Sequence, residues 1–258
     1  MLLAQDEGHT GGEYPMLVLV DYNNIDRSIR HKGLAYVVDS ILKRISDQLP
    51  AERARAHFRL YDGWYNEQAP TRICEDLAAE IGNLSPSVRT VLENEKTNRV
   101  RITVELAYSL AIEPNTHMFH TYREKSAPHG IACTAPRSAG CNQSPCLLAS
   151  MPDFFNKERC PSPECAVRLK DILFRPEQKL VDAMLTSDII HFAYTREESI
   201  AVVTSDDDFW PAIRTALLYG ARVRHVLTKP LPGIPNRYAT GLDHKYSQTS
   251  LKGPLDGR

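Results

Sequence analysis

The stretch that best indicates the architecture lies late in the chain and reads Ile200-Ala201-Val202-Val203-Thr204-Ser205-Asp206-Asp207-Asp208-Phe209. Its first four residues are apolar and mostly β-branched, which predicts a buried strand. Three carboxylates follow, and the segment from Trp210 to Tyr219 has the apolar spacing of a helix. The acids are therefore expected at the carboxyl end of a strand, the edge at which open α/β sheets bind their ligands.

Outward from this stretch, predicted strands alternate with predicted helices. The predicted strands are 16–20, 56–61, 100–112, 199–204 and 223–227. The predicted helices are 34–49, 71–81, 177–194 and 208–219. This order predicts an α/β fold in which helices flank a mainly parallel sheet.

The regular pattern is interrupted once and has irregular ends. Residues 1–14 are expected to be a flexible N-terminus, and 229–258 a mostly irregular C-terminal tail. The main domain is predicted over 15–228. Within it, residues 122–166 are rich in Pro, Ser, Gly and Cys, which predicts an insertion outside the main sheet.

The composition argues against several classes of function. The 258 residues include 31 Lys and Arg against 32 Asp and Glu, so any nucleic acid would need a local basic patch. No apolar run approaches the roughly 20 residues of a membrane span, and the N-terminus lacks the pattern of a signal peptide. Five of the six cysteines are clustered, which is not typical of a secreted disulfide framework. We therefore expect a cytoplasmic protein without membrane association.

The predicted sheet brings several acids to one edge. Parallel strands end together, so Asp21, after the first strand, should meet Asp206 and Asp208. Asp182, near the start of its helix, is expected to face the same edge. Carboxylates this close repel one another. Mg²⁺ or Mn²⁺ would relieve that repulsion, activate a water and hold a phosphodiester.

Ordinary structural roles remain open for some of these acids. Asp208 could cap the helix that begins at Phe209, because Asp is a common N-cap residue. Asp188 lies at the far end of its helix, where a site role and a structural role are equally compatible with the pattern. Asp207 is expected to be solvated.

Three segments of the chain resemble the signatures of a known family. They are Leu19-Val20-Asp21-Tyr22-Asn23-Asn24-Ile25, Gln178-Lys179-Leu180-Val181-Asp182 with Asp188, and Val203-Thr204-Ser205-Asp206-Asp207-Asp208-Phe209. Their residues and order resemble the NYN family of PIN-like nucleases, over about residues 16–227 without the insertion. The Gly that this family places before its late pair of acids is absent. Either Ser205 stands directly before Asp206, or the register shifts and Thr204-Ser205 takes the Ser-Gly positions, with the acids unchanged.

The resemblance implies a PIN-like, Rossmann-related fold and a metal-dependent endoribonuclease that uses Mg²⁺ or Mn²⁺. It assigns the catalytic and metal-binding roles to four acids, Asp21, Asp182, Asp206 and Asp208. It also implies that Asn24 fixes the first turn or contacts substrate, and that Ser205 and Lys179 are auxiliary. Some relatives have lost acids and only bind RNA, whereas this chain keeps all four.

Two cysteine pairs predict a structural zinc site in the insertion. The pairs are Cys141 with Cys146 and Cys160 with Cys165. The gap within each pair suits two ligands of one tetrahedral Zn²⁺, and four thiolates leave no open position for catalysis. Zinc would order a segment that is poor in large apolar side chains. Cys133 or His129 could replace one ligand, and unligated thiols or disulfides are the alternatives.

Basic and aromatic side chains near the predicted acidic edge indicate where RNA would lie. The basic residues are Arg27, Arg30, His31 and Lys32. The aromatic residues are Tyr22, Tyr61, Trp64 and Tyr65. Cations hold phosphates and aromatic rings stack on bases, as single-stranded RNA requires. Short basic runs are also common on solvated helices, and Trp64 could belong to the core.

Three function classes fit these patterns to different degrees. The leading hypothesis is a metal-dependent endoribonuclease. The second is a catalytically silent module that binds RNA, a protein partner or a second copy of itself through the zinc insertion. The third, a Mg²⁺-dependent phosphatase or nucleotide hydrolase, is disfavoured because Asn23 replaces the acid expected two residues after Asp21. A Gly-rich phosphate loop is also absent from the sequence.

Overall fold

The computed structural model describes residues 15–49, 54–93, 96–126, 133–146, 148–196, 199–230, 241–242 and 244–252. The strands are β1 (Met16–Asp21), β2 (Arg55–Tyr61), β3 (Tyr65–Asn66), β4 (Ala69–Pro70), β5 (Ser87–Glu93), β6 (Lys96–Leu106), β7 (Tyr122–Ser126), β8 (Phe174–Gln178), β9 (Ser199–Val203), β10 (Arg222–Leu227) and β11 (Tyr246–Ser250). The helices are α1 (Arg27–Arg30), α2 (Leu34–Ile45), α3 (Arg72–Leu84), α4 (Met151–Lys157), α5 (Leu169–Ile172), α6 (Val181–Arg196) and α7 (Trp210–Leu218). None of the helices in this described part is long and apolar enough to cross a membrane.

Seven strands form the main sheet in the order β11-β10-β9-β1-β2-β6-β5. Neighbouring strands run parallel, except that β5 pairs antiparallel with β6 at one edge. Strand β1 is central, with Asp21 opposite Tyr61 of β2 and Val20 opposite Val203 of β9. The loops that follow β1, β2 and β9 therefore meet at one edge.

Helices pack on both faces of this sheet. Val18 and Phe58 point to the face on which α2 and α3 lie, and Leu19 and Val202 point to the face on which α6 and α7 lie. Side chains alternate along a strand, so a continuous apolar run such as β1 buries residues on both faces. The predicted mixed α/β architecture with a mostly parallel sheet is confirmed.

Helix α2 illustrates how the sequence sets an element. Its apolar residues recur at helical spacing and are all buried: Leu34, Val37, Val38, Ile41, Leu42 and Ile45. Gly33 precedes the helix with a φ of 88°, a backbone conformation that favours glycine. A Cβ at Gly33 would lie 3.3 Å from the carboxylate of Glu80, which accepts a hydrogen bond from the Leu34 N–H at 2.6 Å.

The chain divides into two compact units. The first contains the main sheet, and the second comprises Tyr122–Lys179. The second unit contains the antiparallel pair β7 and β8, in which Arg123 lies opposite Glu177 and forms an ion pair with it. The predicted insertion, 122–166, lies within this second unit, which continues to residue 179.

Several elements differ from the sequence-based expectation. The helix predicted over 177–194 begins only at Val181, because Leu180 has a φ of 66° that a right-handed helix cannot contain. Glu177 belongs instead to β8. Strand β5 was not predicted, and β11 lies in the stretch expected to be irregular. The N-terminal residues 1–14 lie outside the described residues.

Candidate functional site

Five acids of the first unit lie around the carboxyl ends of the central strands, and we call this group the acidic edge: Asp21, Asp62, Asp182, Asp206 and Asp208. Asp21 ends β1, Asp62 directly follows β2, and Asp206 lies three residues after β9. Their charges interact. Burial is the main cause of the raised pKa of Asp21, and the charges of Asp182 and Asp62 raise it further. Partial burial is likewise the main cause of the raised pKa of Asp182, and the charges of Asp206 and Asp208 add to it.

Asp21 is buried, with 7% of its surface exposed. Its Oδ2 accepts a hydrogen bond of 2.9 Å from the Thr204 hydroxyl. Burial raises the pKa of Asp21 to about 7, and the Thr204 hydrogen bond opposes that rise. The carboxyl group is therefore divided between its protonated and ionised forms near neutral pH, and a bound cation would favour the ionised form.

Thr204 connects Asp21 to the turn that carries the later acids. Its buried Oγ1 donates to Asp21 and accepts a hydrogen bond of 3.1 Å from the Asp206 N–H. Its carbonyl oxygen lies 3.0 Å from Nε2 of His225. Burial lowers the pKa of His225 to about 4, so the ring is neutral and Nε2 carries the donated proton. Thr204 was not predicted as a site residue. Its position between the end of a strand and Asp206 could have predicted it.

Asp206 fixes the geometry of the turn after β9. Its Oδ1 accepts a hydrogen bond of 3.0 Å from the Asp208 N–H and so caps the 3₁₀ turn Asp207–Phe209. The capping role considered for Asp208 is therefore performed by Asp206. The Asp207 and Asp208 side chains are exposed, as is that of Asp182.

Asn24 and Ser205 join three loops at the same edge. Oδ1 of Asn24 accepts a hydrogen bond of 2.9 Å from the Ser205 N–H and another from the Thr228 hydroxyl. Oγ of Ser205 accepts a hydrogen bond of 3.0 Å from the Lys229 N–H. These contacts hold the loops after β1, β9 and β10 together, so both side chains position the acidic edge.

Sequence reasoning missed Asp62, which is 6% exposed and follows β2 in the same way that Asp21 ends β1. Its Oδ1 accepts a hydrogen bond of 2.6 Å from the Gly63 N–H. An acid directly after a predicted strand was the signal that selected Asp21, and it applies equally to Asp62.

Asp188 belongs to a buried ion-pair network rather than to the acidic edge. It is fully buried, and its Oδ2 accepts hydrogen bonds from Nε of Arg59 at 3.0 Å and from the Tyr61 hydroxyl at 2.6 Å. Its Oδ1 accepts a hydrogen bond of 2.8 Å from the Ala111 N–H. Arg59 also pairs with Glu105. Of the two roles considered for Asp188, these contacts support the structural one.

Two predicted substrate-binding residues have few contacts. Arg27 is exposed at the start of α1, a short helix capped by Asp26, which accepts a hydrogen bond of 2.8 Å from the Ser28 N–H. Lys179 is exposed and belongs to the second unit. In the predicted basic cluster, the guanidinium of Arg30 lies 5.6 Å from the centre of the Tyr22 ring.

Three of the four aromatic residues predicted to stack on RNA bases are core residues instead. Tyr22, Tyr61 and Trp64 are 3%, 1% and 0% exposed, so their rings are inaccessible to a base. Each follows or ends a strand of the central sheet, where packing against neighbouring elements buries a large ring. The alternative that Trp64 belongs to the core is confirmed.

The fourth residue, Tyr65, belongs to an aromatic group that sequence reasoning did not assemble. We call it the aromatic group: Tyr65, Tyr108, His117 and Phe119. Adjacent ring centres lie 5.2–5.7 Å apart. His117 is exposed and Phe119 is 38% exposed. Tyr65 and Tyr108 follow β2 and β6, so the group lies at the same edge of the sheet as Asp21 and Asp62.

In the second unit, the Sγ atoms of Cys141 and Cys146 lie 3.6 Å apart. Two thiolates bound to one tetrahedral Zn²⁺ at 2.3 Å would lie about 3.8 Å apart. All six cysteines are free thiols, and His129 lies outside the described residues. Within the described ranges, no three His, Cys, Asp or Glu side chains are close enough together to hold one metal ion.

Comparison of the chain with models of protein families, with curated proteins and with solved structures finds no match.

Proposed function

We propose that the protein is a metal-dependent endoribonuclease of the PIN-like NYN type that hydrolyses single-stranded RNA. The observation that carries the proposal is the buried carboxyl group of Asp21, for which the described residues show no ion pair. The buried Asp188 has Arg59 as its cationic partner, whereas the buried Asp21 has a hydroxyl partner and acidic neighbours. Burying a carboxylate without a nearby cation is unfavourable. Such an arrangement is typical of a functional site that binds a cation.

The acidic edge supplies the carboxylate oxygens that Mg²⁺ and Mn²⁺ prefer, and since no three of these side chains lie close enough together among the described residues, some must rotate to hold one ion. Asp21, Asp182, Asp206 and Asp208 would hold the ion. When bound, the ion would activate a water and stabilise the charge that develops on the phosphate. Asp21 is held in place by Thr204, whereas Asp182 and Asp208 are exposed and able to rotate toward a cation.

The aromatic group supports RNA with unpaired bases as the substrate. Aromatic side chains stack on bases of any sequence, but only where the bases are not paired in a duplex. His117 and Phe119 are accessible to such a base, and the rings of Tyr65 and Tyr108 pack against them. A cytoplasmic location is part of the proposal, because five of the six cysteines are clustered as in a metal site and not spread as in a secreted disulfide framework.

Replacement of Asp206 with Asn is expected to reduce RNA cleavage at least 100-fold. Asn also caps helices, so the variant retains the turn and loses only the charge. The measurement is cleavage of a labelled single-stranded RNA by the full chain in Mn²⁺ or Mg²⁺, compared with the same reaction in EDTA.

The matched control is Asp207→Asn, which removes the same charge from an exposed neighbour in the same turn. It is expected to retain cleavage within about threefold, because an exposed charge is largely screened. Equal losses in both variants, or cleavage that continues in EDTA, would contradict the assignment of Asp206. RNA binding without cleavage under any metal would support the alternative, a catalytically silent binding module.

For the second unit we propose a structural Zn²⁺ bound by Cys141, Cys146, Cys160 and Cys165. The Sγ separation of the first pair supports the proposal, since it is close to that of two zinc ligands. Such a module would contact RNA or a protein partner, or join two copies of the chain.

The purified chain is expected to contain one zinc per molecule by elemental analysis, because four thiolates bind Zn²⁺ tightly. Cys141→Ser is expected to lose that zinc, whereas Cys74→Ser, outside the second unit, is expected to retain it. Equal zinc in wild type and Cys141→Ser would rule out this ligand set. Loss of zinc from Cys133→Ser would show that Cys133 is a ligand.

A further inference from the structure

Three arginines lie together on the main sheet, away from the acidic edge, and we call them the arginine face: Arg55, Arg99 and Arg101. Arg55 begins β2, and the other two lie in β6. With Ala54 and Val88 they line an open depression of about 370 Å³. All three side chains are exposed.

The strand register places these side chains on one face of the sheet. Arg55 lies directly opposite Arg101, and Arg99 is two residues from Arg101 along β6. The intervening Val100 and the following Ile102 are buried on the opposite face. Like charges directly opposite one another destabilise a sheet, so this arrangement favours an anion that neutralises them.

No such anion is found among the described residues. Within the described ranges, none of the three guanidinium groups has an ion pair or a side-chain hydrogen bond. Arg59 lies on the same face of β2 and contrasts with them, because it pairs with Asp188 and Glu105. The buried Arg59 is therefore paired, whereas the three exposed arginines of the arginine face are available to a ligand.

We propose that the arginine face binds the phosphodiester backbone of RNA outside the cleavage site. Guanidinium groups bind phosphate oxygens through paired hydrogen bonds, and several on one face suit a chain of phosphates. Arg55 lies six residues before Tyr61, the neighbour of Asp21, which corresponds to about 20 Å along the strand. RNA bound here would contact the protein several nucleotides from the acidic edge. The choice of RNA among polyanions rests on the proposed function.

The test compares RNA binding by the full chain with that of the triple variant Arg55→Gln/Arg99→Gln/Arg101→Gln. The probe is a labelled 20-nucleotide oligouridylate in EDTA, so cleavage does not interfere, and the dissociation constant is measured against salt concentration. Each phosphate contact with a single strand contributes about 0.7 to the slope of log K against log salt. The triple variant is expected to reduce the slope by about 2 and to bind roughly 10- to 100-fold more weakly at 0.1 M salt.

The matched control is Lys43→Gln/Arg72→Gln/Arg222→Gln, which removes three exposed positive charges of the first unit, from α2, α3 and β10. It is expected to leave the slope nearly unchanged. Equal losses in the two triple variants, or none in the first, would overturn the proposal. Equally tight, competing binding of an oligoglutamate of the same charge would also overturn it, because the face would then bind acidic peptides.

Two further measurements separate this inference from the proposed function. The melting temperature of the arginine-face variant is expected to equal or exceed that of the wild type, since a like-charge pair has been removed, and so weaker binding would not reflect unfolding. If the chain binds RNA through these arginines but cleaves no RNA in any metal, the nuclease function fails and the arginine face stands. If the chain cleaves RNA while the triple variant binds RNA normally, the nuclease function stands and the arginine-face proposal fails.

Discussion

Replacement of Asp21 with Asn is expected to stabilise the metal-free protein at pH 8 by up to about 4 kcal/mol. The pKa of Asp21 is raised from 3.8 to about 7 in the folded chain, chiefly by burial. The folded protein therefore holds this proton more tightly than the unfolded chain. The free energy of unfolding falls as the pH rises from about 4 to about 7, at about 1.4 kcal/mol per pH unit. Asn has no charge to bury and avoids that loss.

Urea unfolding in EDTA between pH 4.5 and pH 8 checks this expectation. The advantage of Asp21→Asn should be largest at pH 8 and should nearly vanish at the acidic end. Asp207→Asn, at an exposed position, should change the free energy of unfolding by less than about 0.5 kcal/mol. Equal stability of Asp21→Asn and wild type at pH 8 would show that burial of the carboxylate is not unfavourable.

Addition of Mn²⁺ gives a second comparison on the same proteins. A cation that binds the folded state and not the unfolded chain stabilises the fold by RT ln(1 + [cation]/Kd). The wild type should therefore gain stability, and Asp21→Asn should gain little. A stabilisation of equal size in both would place the cation away from Asp21. The proposed site would thus be stabilised by the same ion that enables its chemistry.

Replacement of Asp188 with Asn is expected to destabilise the protein by about 3–5 kcal/mol, because it breaks a buried ion pair. Both carboxylate oxygens of Asp188 accept hydrogen bonds, from Arg59, Tyr61 and Ala111. An Asn amide offers a donor in place of one acceptor and leaves either the Ala111 N–H or the other two donors without a partner. Chemical denaturation at pH 7 measures the loss.

Glu105→Gln is the control, since Glu105 pairs with the same arginine but its side chain is 42% exposed. It is expected to cost less than about 1 kcal/mol. The double variant Arg59→Met/Asp188→Leu should recover much of the loss, because an apolar pair leaves no buried charge. A cost below about 1 kcal/mol for Asp188→Asn would argue against the ion pair and reopen a site role for Asp188.

The sequence predicted the central elements well because their apolar patterns are long and uniform. Strands β1 and β9 are continuous apolar runs, and both were found where expected. Strands β5 and β11 were missed because they lie at opposite edges of the sheet, where few residues are buried. The start of α6 was misplaced because nothing in the sequence marks the left-handed backbone of Leu180.

The candidate site was most predictable where a residue follows a strand. That rule located Asp21 and Asp206, and it would also have located Asp62. It could not reveal that Thr204 hydrogen-bonds to Asp21, since that contact depends on the register of two strands far apart in the chain. The rule also failed for Tyr22 and Trp64, because aromatic residues near a strand end are often buried.

The central position of β1 has a consequence for biosynthesis. Asp21 and Thr204 are 183 residues apart, so β1 gains β9 as its neighbour only after the whole segment between them has left the ribosome. Until then, one side of β1 has no strand to pair with, and Asp206 and Asp208 have not yet been synthesised. Under the proposed ribonuclease function, the growing chain would therefore have no cleavage site until the segment that carries Asp206 and Asp208 has been synthesised.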